Sequence, residues 1–246
     1  MALMRGKVFV AGAMGAIGRR LVPQLVEAGH VVFGTTRSVW RAREVEKLGA
    51  TAVVVNVFDR EELLRVMREV RPGVVIHQLT DLPKELSGPP PVEVIKANAR
   101  VREEGTRNLA EGAVASGARR FIAQSIAWVY ASGKQPYSED DPLDRDAAEP
   151  ISIGVAGVLA LEQATLNSPP LEGVVLRYGQ LYGPGTWNRQ AKGPVPVHVD
   201  AAAHAAFLAI ATKEIGIFNI AEETGFVSSE RARRVLRWDP GFRLGG

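Results

Sequence analysis

The sequence predicts an α/β fold, a doubly wound parallel sheet of about seven strands with helices on both faces. Short apolar runs alternate with helix-patterned stretches along the whole chain. The first run, Val8–Ala11, breaks at Gly12, and Gly15 and Gly18 follow before Leu21, Val22 and Leu25 set a helical period. At 246 residues and 46% hydrophobic content the chain suits one such domain with an ample core.

The first strand, turn and helix aim free backbone amides and a positive helix end at a phosphate. Gly12 allows the turn, Gly15 lets the backbone approach a pyrophosphate, and Gly18 lets the helix pack closely on the strand. A lone glycine triplet is also found in ordinary turns. This one follows a strand, opens a helix and heads an alternating β/α chain, which is the context a dinucleotide site needs. Gly12, Met14, Gly15, Ala16, Ile17 and Gly18 are its expected residues.

That helix stops near Ala28-Gly29, and Val31–Thr36 is a second strand. The end of this strand meets the adenosine ribose, where an acidic residue selects NAD. Thr36, Arg37 and Ser38 stand there instead, with Arg41 one turn on. A guanidinium forks onto a 2′-phosphate, so NADP is favoured over NAD. Stacking of Arg37 on adenine is the alternative. Ser38–Leu48 reads as a helix, Ala52–Val55 as a third strand, and Asp59 as the cap of a helix over Arg60–Val70. Val74–Thr80 is a fourth strand with its exit, where Leu79 and Thr80 line the cofactor trough. His77, inside that apolar strand, reads as a hydrogen-bonded core residue. Val92–Ser116 is a long helix. Phe121–Ser125, Val174–Arg177 and Ile217–Ile220 are the remaining strands, and a helix runs from Val197 to Thr212.

Composition excludes several classes. The chain has no cysteine, so disulfides, thiolate nucleophiles and cysteine metal sites are ruled out. Its four histidines show no metal-ligand spacing, and no metal is expected. A net charge of +3 with interleaved signs is a solvated surface, not a nucleic-acid stripe. No apolar run approaches a membrane span, and a cytoplasmic protein is expected.

The spacing GxxGxxG, the segment NARVREEGTRNLAEGAVASGARRFIAQS, the run Tyr178–Gly185 (YGQLYGPG) and the VHVD at Val197–Asp200 together resemble the extended short-chain dehydrogenase/reductases, the NAD-dependent epimerase/dehydratase group. The resemblance covers almost the whole chain. It implies a Rossmann-type domain over residues 1–178, with 179–246 completing the sheet and a reduced C-terminal substrate lobe in the same compact unit. It places Asn56 and Val57 at the adenine edge and Gln124 and Ser125 at the end of the fifth strand beside the cofactor. Tyr178 and the Leu181 backbone fall near the nicotinamide. Arg102 stands where relatives carry a cofactor-supporting Asn. It also implies a small-molecule substrate or acceptor and a homodimer through the helices Val92–Ser116 and Ile153–Asn167.

Reductases of this group use a Ser or Thr, a Tyr and a Lys, the last two four apart on one helix. Here the Tyr and Lys positions fall on Gly154 and Val158, or on Ile153 and Gly157 with a one-residue slip, and the hydroxyl position on Ile126. Tyr130, Tyr178 and Ser125 are the substitute candidates. Three functions stay open: an atypical oxidoreductase or sugar-epimerase-like enzyme with a displaced proton donor, a dinucleotide-binding sensor or scaffold without turnover, and a flavin- or quinone-type reductase needing no protein acid.

Overall fold

The computed structural model describes residues 6–83, 85 and 88–245. In chain order the elements are β1 (Lys7–Ala11), α1 (Gly18–Glu27), β2 (Val31–Thr36), α2 (Ala42–Glu46), β3 (Thr51–Val54), α3 (Arg60–Val70), β4 (Val74–His77), α4 (Val92–Arg100), α5 (Thr106–Ala115), β5 (Arg120–Ile126), α6 (Ile151–Leu166), β6 (Glu172–Tyr178), β7 (Gln180–Tyr182), β8 (Pro196–His198), α7 (Val199–Ala209) and β9 (Gly216–Ile220). Seven strands form one parallel sheet in the order β3-β2-β1-β4-β5-β6-β9, as the alternating pattern predicts. Strand order reverses between β1 and β4, which opens a crevice at their carboxyl ends.

Side-chain alternation builds two cores. Val8, Val10, Ile76, Ile122 and Tyr178 point to the face covered by α1 and α7. Phe9, Ala11, Val75, Phe121 and Ala123 point to the face of α3, α5 and α6. Burial on both faces is why these strands read as continuous apolar runs.

Three segments differ from the sequence reading. The expected helix over Ser38–Leu48 is a 3-10 turn, Val39–Arg41, followed by the short α2. The long helix Val92–Ser116 is divided by a π-turn at Val101–Gly105, which carries Arg102. Val197 and His198 belong to β8, paired with β7 outside the main sheet, and α7 starts one residue later. His198 Nδ1 accepts from the Asp200 amide at 3.2 Å and so caps α7.

Helix α6 lies tight against α4. A Cβ on Gly157 would come within 2.9 Å of the Ala99 Cα. Val158, in the next position, is fully buried. Neither site has room for a long charged side chain. A Gly157→Val substitution should therefore overpack this contact and cost about 1–3 kcal/mol, seen as a thermal midpoint lowered by roughly 2–4 °C per kcal/mol. An unchanged midpoint would show that the two helices separate freely.

Candidate functional site

The glycine turn forms a built cradle. Gly12 has φ +95°, and a Cβ there would meet the Gln78 carbonyl carbon at 2.7 Å. A Cβ on Gly18 would sit 2.2 Å from the Gly12 oxygen. These two glycines are required by the protein's own packing. Gly15 is different: it is exposed, and a Cβ there would meet nothing closer than 3.4 Å. The Gly12 amide donates to Thr35 Oγ1 at 3.3 Å, and the Gly15 amide donates to the Gly12 carbonyl at 3.0 Å. Among the described residues no protein acceptor meets the amides of Ala16 and Ile17, which precede the first turn of α1. Free amides at a helix start beside an open glycine suit a diphosphate.

The other expected cofactor residues reach the same edge because the strands run parallel. Thr36 ends β2, and its Oγ1 accepts from the Ser38 amide at 3.2 Å. Arg37 is exposed and lies 3.7 Å from Asp81, a loose ion pair that water screens. Asn56 and Val57 follow β3, Leu79 and Thr80 follow β4, Gln124 and Ser125 lie near the end of β5, and Leu181 lies in β7. Asp59 Oδ1 caps α3 through the Glu62 amide at 3.1 Å.

His77, the last residue of β4, is fully buried. Its Nδ1 accepts from the Leu79 amide at 3.2 Å, which leaves Nε2 carrying the proton, 3.0 Å from Thr106 Oγ1. Burial, with the Arg102 charge adding, lowers its pKa to about 3. It is a neutral structural ring.

The three hydroxyls singled out in the sequence lie elsewhere than in an open crevice. Ser125 is buried, and its Oγ donates to Glu162 Oε1 at 2.8 Å. Tyr130 is buried beyond β5; its hydroxyl donates to Asn219 Oδ1 at 2.6 Å and accepts from Arg177 Nη1 at 2.9 Å. Burial outweighs that guanidinium and lifts the phenol above its usual range. Tyr178 points to the α1/α7 face, away from α6, with its hydroxyl 3.5 Å from Gln78 Nε2. Its phenol is raised by complete burial. Glu162 also receives Arg177 Nε and Nη2, each at 2.8 Å, so Ser125, Glu162, Arg177, Tyr130 and Asn219 form one buried network. The sequence signalled this only by a charge, Glu162, on an otherwise apolar helix. Gly154, in the first turn of α6, presents no side chain, and Ile126 is buried.

Residues 8–219 match the NAD dependent epimerase/dehydratase family. The chain belongs to that family. Among curated relatives, the 3-diazoavenalumate denitrifying reductase of a Streptomyces species is 38% identical over 237 residues, covering 88% of this chain and 76% of that protein. The UDP-N-acetyl-alpha-D-glucosaminuronate decarboxylase of Bacillus cytotoxicus is 25% identical over 205 residues, covering 81% of this chain and 62% of its own length. Among solved structures, UDP-glucose 4-epimerase of Thermotoga maritima superposes with a TM-score of 0.75 at 19% identity, over 97% of this chain and 94% of that one. UDP-glucuronic acid 4-epimerase of Bacillus cereus, solved in complex with NAD, gives 0.72 at 17% identity, over 97% and 93%. These structures share the Rossmann-like fold of this family member. Among the described residues no group of side chains could hold a metal ion, and no helix is long and apolar enough to cross a membrane.

The His77 environment sets a pH dependence. Unfolded, the ring takes up a proton below its ordinary pKa of 6.5; folded, it refuses one until about 3. Its contribution to stability is complete above 6.5 and is lost as pH falls through that window. Urea midpoints of the wild type should therefore fall more steeply between pH 6.5 and 4 than those of His77→Leu, which should start less stable at pH 7. Parallel profiles would contradict the neutral ring.

Proposed function

We propose that this protein is a nicotinamide-dependent reductase whose acceptor takes hydride without a proton from the protein. The observation that carries the reading is the first half of α6 and the strand beside it. Gly154 has no side chain, Val158 is core, the Ser125 hydroxyl is committed to Glu162, and both candidate phenols are buried with raised pKa values. Carbonyl reduction needs a proton delivered to oxygen as hydride arrives. Neither candidate phenol, nor the Ser125 hydroxyl, is free to give one.

The bound dinucleotide supplies a hydride. The chain's part is to hold it: the amides of Ala16 and Ile17 with Gly15 at the diphosphate, Thr36, Arg37 and Ser38 at the adenosine ribose, Asn56 and Val57 at adenine, and the Leu181 backbone near the nicotinamide. NADP is the cofactor proposed. Arg37 is exposed and only loosely tied to Asp81, so it is free to fork onto a 2′-phosphate.

A diazo arene is the acceptor class that fits, and the relative named a diazo denitrifying reductase supports it. For an aryl diazonium the balance closes without a proton. The hydride electron pair becomes the new C–H bond, the C–N bond breaks, and N2 leaves with that bond's electrons. A quinone acceptor is the second reading, since the reduced quinone can draw its protons from water rather than from the protein. A cytoplasmic homodimer through α4 and α6 completes the proposal, supported by the partly exposed Ile151, Ile153 and Leu159 on α6.

Purified protein with NADPH deuterated at the nicotinamide C4 should convert benzenediazonium to monodeuterated benzene above the enzyme-free blank. Tyr130→Phe and Tyr178→Phe should keep that rate. Reduction of an aldehyde that either substitution abolishes would instead establish a displaced proton donor. Cofactor binding without oxidation by diazonium, quinone or aldehyde would leave a sensor.

Arg37→Ala tests the cofactor choice. It should weaken NADPH binding about tenfold, the loss of one charge-assisted contact, and leave NADH almost unchanged in fluorescence titrations. Equal loss for both would mean that Arg37 stacks on adenine.

A further inference from the structure

Among the described residues two arginines are buried, and both are neutralised. Arg177 is gripped by Glu162, and Arg120 pairs with Glu172 while donating to the Ala209 carbonyl at 2.9 Å. Half-buried Arg102 is different. Among the described residues no carboxylate lies within ion-pairing distance of it, and its one polar contact is a long one, Nη1 to the Gly154 carbonyl at 3.5 Å. Glu162, whose charge it feels, already accepts from Ser125 and from Arg177 on both oxygens. Burial lowers the Arg102 pKa to about 10, so it stays charged at neutral pH. A cation partly withdrawn from water, with only a distant carbonyl, gains from a negative partner.

Its position says where that partner arrives. The π-turn between α4 and α5 carries it, and its charge acts on His77 at the end of β4 and on Glu162 of α6. Helix α6 begins near the carboxyl edge of the sheet, and Gly154 lies in its first turn. A Cβ at Gly154 would touch only Ile95, at 3.9 Å. The guanidinium therefore borders a gap between the start of α6 and α4, left where Gly154 carries no side chain. A guanidinium selects a planar anion with two oxygens, since its parallel N–H groups match that spacing.

We infer that Arg102 binds a carboxylate carried by the acceptor, beside the gap at Gly154. Arg102 thus serves substrate selection rather than the cofactor support that the family resemblance implies. The inference rests on the reductase reading only in placing an acceptor in this crevice.

Calorimetry with benzoate as the probe, on protein saturated with NADP+, tests it without turnover. The wild type should bind benzoate, and Arg102→Met should bind it about 30-fold or more weakly, the loss expected when one member of a buried charge pair is removed. Arg102→Lys, which keeps the charge but not the fork, should fall between them. Methyl benzoate should bind all three alike, and NADP+ affinity should not change. Equal benzoate affinity in wild type and Arg102→Met overturns the inference, as does a wild type that binds no benzoate. A loss of NADP+ affinity in Arg102→Met overturns it too, in favour of cofactor support. Should Arg102→Met not fold, Arg102→Lys decides by the same benzoate comparison. Benzoate binding intact with no hydride transfer to any acceptor would remove the reductase reading and leave the carboxylate site standing.

Discussion

One carboxylate fixes the character of this crevice. Glu162 lies on an apolar helix, yet it takes the Ser125 hydroxyl and both arms of Arg177, joining α6 to β5 and β6. Arg177 passes the restraint to Tyr130, and Tyr130 to Asn219 on β9. Removing one member of such a buried pair typically costs about 3–5 kcal/mol, because the other charge is left alone. The Ser125 and Tyr130 hydroxyls are thereby committed to holding strands and helix in register.

The other wall follows from that commitment. At the start of α6, Gly154 presents no side chain and Val158 is buried. A positive charge is nevertheless present nearby, on Arg102, supplied from the neighbouring π-turn. The glycine cradle and the Arg102 guanidinium thus stand beside a hydroxyl and two phenols that are committed or buried.

Much of this was legible residue by residue. Backbone limits are local: Gly12 needs a positive φ, and Gly18 must let a helix start almost touch the preceding turn, so the spacing of glycines in the chain announces the cradle. Parallel strands buried on both faces announce themselves as apolar runs, and seven such runs gave the sheet. The division of Val92–Ser116 was not legible. A π-turn inserts one extra residue into a helix whose apolar pattern continues through it, so periodicity alone does not expose the break.

The amino-acid order by itself determined the family and the sheet, because each depends on neighbours a few positions apart. Only tertiary structure decided what the remaining polar groups do. Ser125 and Glu162 are 37 positions apart, Tyr130 and Asn219 are 89, and Arg102 and Gly154 are 52. Whether a hydroxyl is free or spent, and whether a guanidinium is neutralised or waiting, is set by partners that meet only when the chain closes on itself.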